Sequence, residues 1–96
     1  MYQHFSDSIV LFLNTYIKQN KLDGEVHAID KHTIYFTLSN NIEGEFTDQS
    51  YHTNEYECKI DTSLSPCSKY IDKTQDTVSI KSELKDFLDT IRSIPQ

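Results

Sequence analysis

The chain changes its hydrophobic period twice. In residues 5–20, FSDSIVLFLNTYIKQN, Phe5, Ile9, Phe12, Leu13, Tyr16 and Ile17 recur at steps of three and four, the stripe of an amphipathic helix. Ser6 stands where an N-cap would, Phe5 and Val10 have the spacing of a hydrophobic staple, and Asp7 falls in a first turn that favours negative charge. Lys18 and Lys21 lie near the opposite end, and Gly24 is the expected stop, with Leu22 folding back.

After Gly24 the period becomes two. Val26 and Ala28 share one parity, and past a turn at Asp30 and Lys31 the residues Ile34, Phe36 and Leu38 share a strand face. Asn40–Asn41 suits a two-residue hairpin because Asn tolerates positive φ. Ile42 and Phe46 continue the buried face with Gly44 between them. In a fourth strand Tyr56, Cys58 and Ile60 point one way and Glu55, Glu57, Lys59 and Asp61 the other. Residues 62–77, TSLSPCSKYIDKTQDT, hold no sustained period and predict a long loop, with Tyr70 and Ile71 as its anchors. A second helical stripe, Ile80, Leu84, Phe87, Leu88 and Ile91, follows, with Ser79 as its cap and Pro95 at its end. On its polar side Lys85–Asp89 and Asp89–Arg92 have the spacing of weak surface pairs.

These elements predict an α+β domain in the order αββββα, a four-stranded antiparallel meander with both helices on one sheet face and the other face wet. A length of 96 residues leaves room for a single small domain, and 36% hydrophobic with 11% aromatic residues suffices for one core. No apolar run approaches a membrane span and the N-terminus lacks the pattern of an export signal, so the chain is expected to be soluble and cytoplasmic. Cys58 and Cys67 are too few and too far apart for a disulfide framework or a metal site, although one bridge across their loop has a workable spacing.

Charge alters the picture because it is unevenly spread. Residues 23–61 hold nine acids and two bases, a net of −7, whereas the rest of the chain sums to +1. Parity sends much of this charge to the wet face, where Glu25, His27, Tyr35, Thr37, Glu43, Glu45, Thr53, Glu55, Glu57 and Lys59 alternate with the buried set. Like charges on neighbouring strands repel, and a face required only to be soluble mixes its signs.

Candidate chemistry is thin by comparison. Two glycines in the whole chain exclude a glycine-rich phosphate loop. His27, Asp30, His32 and His52 gather around the sheet, but a spacing of five across a turn does not set His27 and His32 on one face, so no metal site is expected. His52 with Cys58 has the core's parity, where a Cys is a small hydrophobe rather than a nucleophile. The pairs Glu43/Glu45 and Glu55/Glu57 lack the cleft that would raise one carboxyl for acid–base work. Dispersed bases, balanced by acids, argue against direct nucleic-acid binding.

The expectation is therefore a non-enzymatic acidic module, without metal or cofactor, that docks on a basic protein and inhibits it. Large basic surfaces belong chiefly to nucleases and other nucleic-acid-binding proteins, and a carboxylate-studded sheet can occupy such a groove in place of phosphates. Nuclease-toxin immunity proteins and phage anti-defence or anti-CRISPR inhibitors use that logic. The expected contact set is Glu43, Glu45, Glu55 and Glu57, with Glu25 and Asp48 at its margin and Tyr35 as an aromatic anchor. The alternative is a homodimeric adaptor or secretion chaperone holding a peptide segment, for which Val10, Leu11 and Tyr16 widen the apolar surface of the first helix.

Overall fold

The computed structural model describes residues 2–39, 41–48 and 54–94, with side chains from residue 7 onward. Helix α1 spans Tyr2–Gln19. Five strands follow, β1 Glu25–Ala28, β2 Thr33–Ser39, β3 Ile42–Asp48, β4 Glu55–Asp61 and β5 Cys67–Asp72, and α2 Thr77–Ser93 closes the chain. The strands form one antiparallel sheet in the order β1-β2-β3-β4-β5, so every strand pairs with its sequence neighbour. The class is α+β and the meander stands, with one strand more than the alternation predicts.

The extra strand lies in the segment 62–77, expected to be a loop. Its core-facing positions are Cys67, Lys69 and Ile71, of which Ile71 alone is fully buried. A lysine on the inward side breaks the period-two pattern that marks a strand. Lys69 sends its ammonium toward α2, 3.6 Å from Glu83 Oε1. An inward-pointing charge is one way in which an edge strand resists pairing with another chain. At the opposite edge, β1 is only four residues long. Between β4 and β5 the Thr62 hydroxyl accepts the N–H groups of Leu64 and Ser65, and at the β1–β2 turn the Asp30 carboxylate accepts the His32 N–H.

Both helices cover the same face. Ile9, Leu13, Tyr16 and Ile17 from α1 and Ile80, Leu84, Leu88 and Ile91 from α2 pack with Ile34, Phe36, Leu38, Ile42, Phe46, Tyr56, Cys58, Ile60 and Ile71. α1 lies over β1 and β2, and α2 over β5. The helices meet through Tyr16, whose hydroxyl donates to Asp89 Oδ1 at 2.6 Å and accepts from Arg92 Nη1 at 3.2 Å, while Arg92 also donates to Asn20 Oδ1. Burial pushes the Tyr16 phenol up, and its bond to Asp89 adds to the shift. Lys85 pairs with Asp89 as its spacing predicts; Arg92 reaches Tyr16 and Asn20 instead of Asp89.

Helix ends depart from the sequence reading. α1 begins at Tyr2, so Ser6 lies within the helix rather than at its N-cap, Phe5 and Val10 do not flank its start as a staple, and Asp7 is not in its first turn. Its C-terminus is a Schellman turn with Lys21 in the left-handed region (φ 55°), where Leu22 N–H reaches Ile17 O and Lys21 N–H reaches Lys18 O. Gly24 is not this cap. Its role is close approach, since a Cβ there would sit 2.0 Å from the Thr37 carbonyl oxygen. Gly44 serves similarly in β3, beneath the ring of Phe36, its partner across the strands. Asp76, not Ser79, caps α2, accepting the Ser79 N–H at 2.7 Å. Ile94 ends α2 in extended conformation, as suits a residue before proline; Pro95 itself lies outside the described residues, as does Asn40 of the expected hairpin turn.

Candidate functional site

Among the described residues nothing covers the sheet face away from the helices, and register fixes what stands on it. Glu25, Thr37, Glu43 and Asp61 form one row across the strands; His27, Tyr35, Glu45, Lys59 and Ser68 form the next. Thr33, Thr47, Glu57 and Tyr70 make a third row, and Glu55 stands beside Asp72 at the end. Glu43 is thus directly opposite Asp61, and Glu55 directly opposite Asp72. Lys59 is the one Lys or Arg on this face among the described residues.

Of the residues expected from sequence, Glu25, Glu43, Glu45, Glu55, Glu57 and Tyr35 share this face. Asp48 does not. It is opposite Tyr56, on the helix side of β3, where its carboxylate pairs with Lys73 Nζ at 2.7 Å and its side chain is only 14% exposed. Lys73 also lies over the Tyr56 ring, and its N–H reaches Asn54 O. Asp48 is therefore a clamp between the end of β3 and the β5–α2 turn; it has the parity of Phe46, which is what assigns it to the core side. Thr53 and His52 lie outside the described residues.

The added strand β5 brings Tyr70 and Asp72 to the face, although the absence of a period in 62–77 predicts a loop; Tyr70 is not the core anchor expected of it, and Ile71 alone has that role. Tyr70 is 53% exposed, and its hydroxyl donates to Glu57 Oε2 at 3.3 Å. On the other flank Tyr35 donates to Glu43 Oε2 at 2.9 Å. The carboxylates leave their mark on both phenols. The hydrogen bond to Glu43 raises the Tyr35 pKa, and the charge of Glu57 raises that of Tyr70. Near one corner an open depression is lined by Leu22, Gly24, Glu25, Thr37, Ser39 and Glu43.

Other candidate groups are placed elsewhere. His27 is exposed, 3.6 Å from Glu25 Oε2, and His32 is half-buried at the β1–β2 turn; among the described residues no three His, Cys, Asp or Glu side chains converge. Cys58 and Cys67 are free thiols. Cys58 stands opposite Lys69 and Cys67 opposite Ile60, a diagonal offset of roughly 7–8 Å that exceeds the reach of an unstrained bridge. Burial pushes the Cys58 thiol up to about 12. Of the α1 residues that suggested a second interface, Tyr16 is buried and Val10 packs on the core, leaving Leu11 66% exposed. No described helix is long and apolar enough to cross a membrane. No family model, curated protein or solved structure matches the chain.

Proposed function

We propose that the protein is a binding module, without catalysis of its own, that docks its open acidic sheet face on a basic protein and inhibits it, the target being a nuclease or other nucleic-acid-acting protein. The observation that carries this reading is the register itself. Directly opposed like charges, Glu43 on Asp61 and Glu55 on Asp72, work against the sheet, although Asp72 also holds the β5–α2 turn by accepting from the Thr74 N–H and hydroxyl. A partner with clustered Lys and Arg turns that repulsion into attraction, and its basic surface is one built for phosphates. The tyrosines supply contact area at low entropic cost. A nucleic acid would be repelled by the same face, and a second copy docked through it would oppose carboxylate to carboxylate.

The test is capture of partners from a host lysate by the tagged chain at low and high salt. A basic nucleic-acid-binding protein that is retained at low salt and released at high salt is the expected result. Reversal of Glu43, Glu45, Glu55 and Glu57 to Lys is expected to preserve the fold by circular dichroism and abolish that capture. Retention by the reversed protein would remove these residues from the site.

A further inference from the structure

The open face carries two similar units on either side of a base. On one flank a tyrosine hydroxyl is bonded to Glu43 and on the other to Glu57, each ring lying on the face beside its carboxylate. Between them stands Lys59, opposite Glu45 and two residues from both Glu57 and Asp61 along β4. Despite that company, no carboxylate of the described residues comes within 4.0 Å of its ammonium. The acidic surface is therefore interrupted at its middle by a hydrated positive charge, and it differs from a continuous track of phosphates. Within a basic partner surface, a cation set directly over Lys59 would meet a like charge. A partner with two separated cations would straddle it.

Which cation fits each unit follows from its composition. A guanidinium is planar, bonds a carboxylate through a fixed fork and stacks on an aromatic ring; an ammonium is a strongly hydrated point charge that gains less from the ring. Resting on the reading of this face as the docking surface, we infer that Tyr35–Glu43 and Tyr70–Glu57 each receive an arginine of the partner. The occupant is an arginine-bearing protein segment, with two arginines that straddle Lys59. Two rows along the strands and one strand across separate Glu43 from Glu57 by roughly 14 Å, from a rise of about 3.4 Å per residue and a strand spacing of about 4.8 Å.

Two nonapeptides test this by titration into the full-length, isotope-labelled protein at low salt, followed by nuclear magnetic resonance. One has arginine at its first, fifth and ninth positions separated by Gly-Ser-Gly, and the other has lysine at the same places. The arginine peptide is expected to shift the amides of β2 to β5 and to bind about tenfold more tightly than the lysine peptide. In the Tyr35→Leu, Tyr70→Leu double variant that ratio is expected to fall to about twofold or less, with lysine binding unchanged. Equal affinities in the native protein would overturn arginine selection and leave the acidic docking face standing. Failure of both peptides to bind would overturn the face as well. A double variant that keeps the full preference would remove the tyrosines from it. Should that variant unfold, the native comparison still decides.

Discussion

At the scale of single residues, the backbone at Lys21 is the least comfortable point described. A left-handed conformation costs a residue with a Cβ about 1 kcal/mol relative to glycine, yet the Schellman bonds at the end of α1 require it. Lys21→Gly is expected to stabilise the fold by roughly 0.5–1 kcal/mol, read by urea denaturation at unchanged slope. Sequence pointed to Gly24 for this cap, since a glycine after a helix is the usual signal. The true reason for Gly24 is a carbonyl of β2 that only folding brings near. Cysteine chemistry is equally a matter of place. Cys58, buried with its thiol raised to about 12, is expected to resist a disulfide reagent at pH 8 until the protein unfolds, whereas half-buried Cys67 reacts in the native state; equal native rates would contradict the core assignment.

Elements show where periodicity suffices and where it does not. β2, β3, β4 and both helices were legible because each buries one face against the same core, so a side chain's parity or helical phase is set by water; β1, with only Val26 half-buried, was legible from the alternation of Val26 and Ala28 alone. β5 was not, because an edge strand needs only one deeply buried residue, Ile71, and its lysine and cysteine positions look like loop composition. The cap of α2 was missed by three residues, since Asp76 and Ser79 are both good cap types and only backbone conformation separates them. The Asp76 carboxylate is held below its usual range by the backbone N–H of Ser79. A depressed folded value gives stability that is complete above the unfolded pKa of about 3.9 and is lost as pH falls through the folded value. Asp76→Ala is thus expected to lower the melting temperature at pH 6, with the gap from the native protein narrowing below about pH 4.

For the whole molecule, both helices cover one face of the sheet, and Glu25, Glu43, Glu45, Glu55, Glu57, Asp61 and Asp72 stand on the other. The face with Glu43 opposite Asp61 repels itself, so added salt is expected to raise the melting temperature of the native protein. Asp61→Lys, which turns that pair into an attraction, is expected to stabilise the fold by about a few tenths of a kcal/mol at low salt and to weaken capture of a basic partner. A variant that gains neither stability nor salt insensitivity would show that the opposed carboxylates do not repel. The candidate face was largely readable because Glu25, Glu43, Glu45, Glu55, Glu57 and Tyr35 follow the alternation of their strands. Asp48 was drawn in by its charge alone, against its parity.

The chain's sequence by itself determined the α+β class, the two amphipathic helices and which side of four strands faces water, because those depend on local period and on burial of one face. Tertiary structure decided what depends on residues far apart in the chain. Register set Glu43 against Asp61 and Glu55 against Asp72, pairing with β4 recruited Tyr70 and Asp72, and the packing of the β5–α2 turn brought Lys73 to Asp48. No period along one strand encodes its neighbour's register, so the identity of a cross-strand partner is fixed only when the sheet closes.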